Sequence, residues 1–135
     1  MTRFVHSLVL LAALLCAAPA LAEVDWSAHA SDDTVVVVSR DPDGALRERT
    51  IWLLVLGGQP YIRTGSSTVW GENVLRDPNV TLKVGAEQAQ LRAERVTDAA
   101  LLERVTAAFR AKYGFGDVLA GIIRGDPIVF RVSPR

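Results

Sequence analysis

Short apolar runs separated by turn residues dominate the chain, and most of them have the length of strands. Residues 51–56 form an unbroken run of β-favouring residues, with charged residues before it and Gly57-Gly58 after it. An extended pattern resumes at residues 61–64. The two segments and the glycine pair between them predict a β-hairpin. Because its first strand is apolar at every position, we expect burial on both faces.

Four further segments predict strands around this hairpin. Residues 34–39 contain four consecutive valines, and residues 80–84 alternate apolar with polar side chains. Residues 91–96, after a turn at 85–88, and residues 128–132 complete the set. A turn of sequence Asp-Pro-Asp-Gly at 41–44 predicts that the first two strands are antiparallel neighbours, which places Arg40 close to Arg47.

Residues 66–79 predict a short helix of about two turns. Trp70, Val74 and Leu75 have the spacing of one apolar helical face, and Asp77-Pro78 ends the pattern. The hydroxyl residues at 66–68 offer an N-cap. The free amides of such a helix start also attract anions.

A longer helix is predicted at residues 99–113 by apolar residues that recur with helical period. Asp98 is a suitable N-cap and Gly114 a suitable end. Phe109 and Tyr113 are expected to pack on the sheet and not to contact a ligand. A short helical piece is predicted at 118–123.

The resulting fold class is mainly β with α: an antiparallel barrel of five or six short strands, with one short and one longer helix. Strands do not alternate regularly with helices, which argues against a doubly wound parallel sheet.

The first 22 residues have the features of a secretory signal peptide and differ from the barrel segments that follow. Arg3 precedes an eleven-residue apolar stretch at 8–18, and Ala20-Leu21-Ala22 forms a cleavage signal before Glu23. An eleven-residue helix is roughly 16 Å long, too short for a hydrocarbon core of about 30 Å. The sequence therefore predicts a signal peptide at 1–22, a barrel domain at 23–135 without a membrane span, and a periplasmic or secreted location.

Cleavage would leave a domain with 14 basic and 15 acidic residues, a formal charge of −1. This balance argues against a nucleic-acid partner. The one cysteine, Cys16, would leave with the signal, so disulfides and thiolate chemistry are excluded.

The usual catalytic motifs are absent, and we predict no metal site. His29 is the only histidine after residue 22, and a lone histidine is most often a surface residue. A metal site would need distant carboxylates beside it, which the sequence does not indicate. A haem-binding barrel remains as an alternative that depends on His29 alone.

The residues best suited to hold a ligand lie on the hairpin and just after it. Arginines can pair with a phosphate, hydroxyls and amides can complete its cradle, and aromatic residues can border a flat ring. These candidates are Arg47, Arg49, Tyr61, Arg63, Thr64, Ser66, Ser67, Trp52 and Trp70. The alternative is that the arginines are solvated and the aromatic residues belong to the core.

Residues 46–84, LRERTIWLLVLGGQPYIRTGSSTVWGENVLRDPNVTLKV, resemble the central part of the flavin and deazaflavin split-barrel superfamily. This superfamily includes pyridoxamine phosphate oxidases and deazaflavin-dependent nitroreductases. The segments KYG at 112–114 and VFRVSPR at 129–135 are similar to a small uncharacterised branch of it.

The resemblance implies a six-stranded split barrel, commonly a homodimer. By matching positions, either Arg47 or Arg49 would hold a flavin phosphate together with Arg63, Thr64, Ser66 and Ser67, while Ile51 and Trp52 would line the ring. The implied cofactor is FMN or a deazaflavin, unless an exported branch has lost it. The implied function is that of an exported relative of flavin- or deazaflavin-dependent oxidoreductases. The alternative is a non-catalytic exported barrel that binds a partner or another small ligand.

Overall fold

The computed structural model describes residues 23–114, 116–117 and 126–135. The predicted signal peptide and the predicted helical piece at 118–123 lie outside these residues. In the described ranges, no helix has the length and apolar character needed to span a membrane.

Six antiparallel strands form a closed barrel in the order β1-β2-β3-β6-β5-β4, with β1 paired to β4. This confirms the predicted fold class. A 3₁₀ turn, Trp26–His29, precedes the barrel. The strands are β1 Thr34–Arg40, β2 Leu46–Leu56, β3 Gln59–Gly65, β4 Asn79–Val84, β5 Glu87–Arg95 and β6 Pro127–Pro134, and the helices of the described residues are α1 Val69–Arg76 and α2 Ala99–Tyr113.

The central hairpin is confirmed, but the burial of β2 on both faces is only partial. Ile51, Leu53 and Leu54 are buried, Trp52 and Val55 are half-buried, and Leu56 is 38% exposed. Gly57 and Gly58, with φ of 60° and 76°, form the two-residue turn between β2 and β3. Positive φ at both positions is what such a tight hairpin requires, and glycine adopts it without strain.

Two details of the sequence prediction are wrong. The expected turn at 85–88 is shorter, because Val84 pairs with Glu87 and β5 begins there. Leu75 does not share the buried face of α1 and is 49% exposed. Successive helical residues are about 100° apart, so a position five residues after Trp70 lies roughly 140° from it and faces solvent.

Strands β2 and β3 separate partway along their length. Their ladder ends at the pair Leu53 and Ile62, after which β2 continues beside β1 and β3 beside β6. The Leu53 amide donates to the Asp33 carbonyl on the β1 side. Because backbone groups alternate along a strand, those of Trp52 and Thr50 point toward the gap.

Apolar residues form an inner core and an outer core. The inner core fills the barrel and includes Leu53, Ile62 and Leu82. The outer core lies between α2 and the outside of the barrel, where Phe109 and Val105 pack on Leu54, Tyr61 and Val129. This confirms the prediction that Phe109 packs on the sheet.

Helix α1 closes one end of the barrel. The Thr68 hydroxyl caps it by accepting a bond from the Gly71 amide at 3.3 Å. A Cβ at Gly71 would lie only 2.7 Å from atoms of Thr64 and Thr68. Glycine at this position therefore allows the helix to lie directly against β3.

The C-terminal end of α2 is tied to the barrel by two polar side chains. The Lys112 ammonium donates to the carbonyls of Asp32 and Leu53, at 2.5 and 2.7 Å. The Tyr113 hydroxyl contacts the Leu53 carbonyl at 2.6 Å and accepts from the Leu53 amide at 3.0 Å. Burial lowers the pKa of Lys112 and raises the pKa of Tyr113 to about 12. These contacts explain why a lysine occupies the apolar stripe of the helix.

Candidate functional site

A pocket of about 200 Å³ lies where β2 and β3 separate, beside the first turn of α1. It brings together five of the candidates identified in the sequence: Arg49, Ile51, Arg63, Thr64 and Trp70. Thr50 and Thr68 complete its lining. The two threonine hydroxyls of β3 and α1, Thr64 and Thr68, are hydrogen-bonded to each other at this point. We call this cavity the split pocket.

Arg49 is the cation of the split pocket that is available to a ligand. Its side chain is exposed, and its guanidinium donates to the Glu48 carbonyl at 3.0 Å. Among the described residues it has no carboxylate within ion-pair distance. An anion that enters the pocket can therefore bind Arg49 without displacing an internal partner.

Arg63 also lines the pocket, but its charge is already balanced. It forms an ion pair with the Asp117 carboxylate, which is only 5% exposed. The guanidinium carbon lies 4.4 Å from the centre of the Phe109 ring, within cation–π range. Arg110 approaches the second oxygen of Asp117 at 3.8 Å. A ligand anion would have to compete with this buried carboxylate for Arg63.

Arg47 is not part of the pocket. It binds Asp41 through two nitrogens, at 2.7 and 3.1 Å, and the Asn73 side chain donates to the same carboxylate at 2.8 Å. The Arg47 bond, followed by the Asn73 bond, lowers the pKa of Asp41. This network joins α1 to the turn between β1 and β2, and Asn73 was not identified from the sequence.

The structure places four other candidates, Trp52, Tyr61, Ser66 and Ser67, away from the pocket lining. Trp52 stacks on Tyr113, with ring centres 4.2 Å apart and planes 4° from parallel. Tyr61 is buried in the outer core under α2. Ser66 and Ser67 are exposed in the turn between β3 and α1. Of the three aromatic candidates, only Trp70 borders the pocket, where it also packs against Phe130.

His29 lies between two carboxylates. Its Nδ1 atom is 2.7 Å from Asp32 and its Nε2 atom 2.6 Å from Glu87. The bond to Glu87, then that to Asp32, raises the pKa of His29. Because the carboxylates contact opposite ring nitrogens, they do not converge on one point. Within the described part of the chain, no group of three metal-binding side chains is present.

The pocket is suited to a small anion more than to an entire cofactor. The Arg49 guanidinium and the gap-facing backbone of β2 provide hydrogen-bonding groups for phosphate. The hydroxyl protons of Thr64 and Thr68 are engaged by their mutual bond and by the Gly65 carbonyl. The volume of about 200 Å³ is below the range of roughly 300–1,000 Å³ that is typical of sites enclosing a drug-sized molecule. The residues therefore fit the phosphate end of a flavin, and the ring system would lie outside this pocket.

The family model described as "Uncharacterized protein conserved in bacteria (DUF2255)" matches residues 26–127. No curated protein matches the chain.

Several solved structures share this fold. HutZ, the heme storage protein from Vibrio cholerae, is 15% identical with a TM-score of 0.64, and the match covers 76% of this chain and 82% of HutZ. A candidate pyridoxamine 5′-phosphate oxidase from Listeria innocua is 18% identical with a TM-score of 0.59, covering 76% and 84% of the two chains. A candidate 5-nitroimidazole antibiotic resistance protein from Bacteroides thetaiotaomicron is 14% identical with a TM-score of 0.55, covering 75% and 72%. At these identities, the similarity shows the split-barrel fold alone.

Proposed function

The chain belongs to the DUF2255 family of bacterial proteins, and we propose that it binds the phosphate group of a flavin-type cofactor in the split pocket. The observation that carries the proposal is the position of Arg49, an exposed arginine beside the hydroxyls of Thr64 and Thr68 where β2 and β3 separate. FMN and a phosphate-bearing deazaflavin present the same chemistry to these residues. When bound, either cofactor would supply hydride-transfer chemistry through its ring.

The chain's own contribution to this function is binding and orientation. Arg49 would neutralise the phosphate, and the backbone of Thr50 and Trp52 would face the part of the ligand that leaves the gap. The names of two similar structures, an oxidase of a phosphate ester and a heme storage protein, support a small-molecule ligand. The homodimer implied by the resemblance remains a prediction.

Titration of FMN and a phosphate-bearing deazaflavin with the purified protein is the direct test. We expect quenching of cofactor fluorescence for at least one of them. Replacing Arg49 with alanine should weaken that binding by about ten- to a hundredfold, because a charge-assisted hydrogen bond contributes roughly 1.5–3 kcal/mol. Failure of both cofactors to bind would contradict the proposal.

Arg47→Ala is the matched control for Arg49→Ala. Both arginines lie on the same face of β2, two residues apart, but Arg47 binds Asp41 and does not line the pocket. The control variant should therefore keep its cofactor affinity as long as it is folded, which circular dichroism would check. Equal loss of affinity in both variants would mean that the arginines act through general charge and not through the split pocket.

A second function is favoured by the internal pairing of Arg63 with Asp117 and by the small volume of the pocket. The protein would then be a non-catalytic barrel that binds a small anion other than a flavin. Binding of inorganic phosphate or a sugar phosphate at Arg49, without binding of either cofactor, would distinguish this function from the first.

We also propose that the domain is exported to the periplasm or secreted, since residues 1–22 have the pattern of a cleaved signal. N-terminal sequencing of the protein from fractionated cells and medium should find Glu23 as the first residue outside the cytoplasm. Protein that retains Met1 and stays in the cytoplasmic fraction would contradict this.

A further inference from the structure

A second, larger cavity lies at the opposite end of β3 from the split pocket. Its volume is about 400 Å³, and its walls are the 3₁₀ turn near Trp26, the beginnings of β3 and β5, and the end of β6. This volume lies within the range of roughly 300–1,000 Å³ that small-molecule sites occupy. We call it the mouth cavity, because it opens into the end of the barrel that α1 does not close.

The mouth cavity lies beside the first part of β5, which is not paired with β6. The last pair between these strands is Leu91 with Pro134, whereas β5 begins at Glu87. The Ala93 amide donates to the Pro78 carbonyl on the β4 side. Because backbone groups alternate along a strand, those of Gln90 and Gln88 face away from β4, toward the β6 side. There the described residues provide no strand partner for them.

Apolar residues of the inner core form the deep wall of the mouth cavity. Trp26, Leu91 and Val132 all line it and are buried in that core. These side chains are nearly fully buried, whereas Val24 and Ala89, which pack against that core and also line the cavity, are only partly buried. A ligand that covers Val24 and Ala89 would remove further apolar surface from water, which favours binding. The deep wall therefore selects an apolar group.

Primary amides dominate the rim. The sequence contains three glutamines, Gln59, Gln88 and Gln90, and all three line this cavity. The Gln59 side chain is already engaged, since it donates to the Val132 carbonyl at 2.7 Å. Gln88 and Gln90 are exposed, so their amides can each offer a donor and an acceptor to a ligand.

Charge at the cavity argues against an anionic ligand. Among the described lining residues, Glu23 is the one charged side chain, and no lysine or arginine is present. The nearby Arg131 and Arg135 do not line the cavity and already donate to the Gln59 side chain and the Leu91 carbonyl, at 3.3 and 3.1 Å. A carboxylate or phosphate would thus lose its hydration beside Glu23 without gaining a cation from the lining. The split pocket, with Arg49, has the opposite preference.

We propose that the mouth cavity binds a small uncharged molecule that combines an apolar group with an amide edge. The apolar group contacts Val24 and Ala89 above Trp26, and the amide edge pairs with Gln88 and Gln90. This site is separate from the split pocket and does not depend on the flavin proposal.

The test compares N-acetyl-leucinamide with N-acetyl-leucine, which carries a carboxylate in place of the terminal amide. Each is titrated into nitrogen-15-labelled protein as isolated from cells, to roughly 10 mM, where a ligand with a Kd of about 1 mM is mostly bound. The neutral compound should shift the amide signals of Gln88 and Gln90 and the indole signal of Trp26. The anionic compound should bind at least about tenfold more weakly, because its carboxylate would be buried without a partner.

Three results would overturn the proposal: no shifts with the neutral compound, equal binding of both compounds, or shifts confined to Arg49 and Trp70. Shifts at the split pocket alone would leave the flavin proposal intact, so the two proposals can be refuted independently.

A double variant, Gln88→Ala with Gln90→Ala, tests the role of the rim. Because both side chains are exposed, folding should be unaffected, and affinity for N-acetyl-leucinamide should fall by about three- to tenfold with the lost hydrogen bonds. Glu94→Ala is the matched control, since Glu94 is exposed on the same face of β5 but does not line the cavity. Unchanged affinity in the double variant, or an equal loss in the control, would contradict the assignment of the amides.

Discussion

Replacement of Phe109 with alanine is expected to lower the free energy of unfolding by about 3–5 kcal/mol, as for other buried phenylalanines. Its ring is fully buried between α2 and the outer face of the barrel, against residues of β2, β3 and β6. The same ring supports the Arg63 guanidinium at 4.4 Å. Urea unfolding followed by circular dichroism measures the loss.

Two further variants show which property of Phe109 matters. Phe109→Leu retains most of the apolar volume and should cost considerably less than alanine, with the remaining loss reporting the contact between the ring and Arg63. Leu75→Ala, at an exposed position of α1, should change stability by no more than about 0.5 kcal/mol. A cost below about 1 kcal/mol for Phe109→Ala would show that α2 does not pack on the barrel as described.

Asp117→Asn is expected to change both stability and anion binding, in opposite directions. Loss of the carboxylate leaves the mostly buried Arg63 without its counter-charge, which should cost up to about 3 kcal/mol in free energy of unfolding. This lies at the low end for a broken buried pair, since the Arg63 side chain keeps 13% of its surface in water. The released guanidinium then adds a second cation to the split pocket.

We therefore expect Asp117→Asn to bind inorganic phosphate and flavin phosphates more tightly than the wild type while unfolding at lower urea concentration. Isothermal titration calorimetry measures the first effect and urea unfolding the second. Glu103→Gln removes an equal charge from the exposed side of α2 and should produce neither effect. Phosphate binding that is unchanged or weaker in Asp117→Asn would contradict the prediction, since the released Arg63 would then add nothing to anion recognition.

Local sequence patterns were sufficient to predict most of the barrel. The apolar run before Gly57-Gly58 indicated a largely buried strand, and the glycine pair indicated the hairpin turn, so the hairpin of β2 and β3 followed from short-range chemistry. Helix α2 was predicted with its observed limits because Asp98 and Gly114 mark its ends. The family resemblance added the split-barrel topology, which periodicity alone does not specify.

The internal partners of the arginines could not be predicted in the same way. Asp117 is 54 residues from Arg63, and no local pattern indicates that they meet. Similarly, Glu87 reaches His29 across 58 residues. The sequence does not distinguish Arg47, Arg49 and Arg63. The fold shows that Arg47 and Arg63 are paired with carboxylates, whereas Arg49 has no such partner among the described residues.

The lack of a side chain at Gly71 has a consequence for the shape of the split pocket. A Cβ there would overlap Thr64 and Thr68, which are two of the three hydroxyl residues of the pocket. A larger residue could be accommodated only if the Thr64 and Thr68 side chains turned away or the helix moved outward, and either change would alter the shape of the split pocket. The absence of a Cβ at Gly71 thus determines how closely α1 approaches β3, and with it the width of the split pocket.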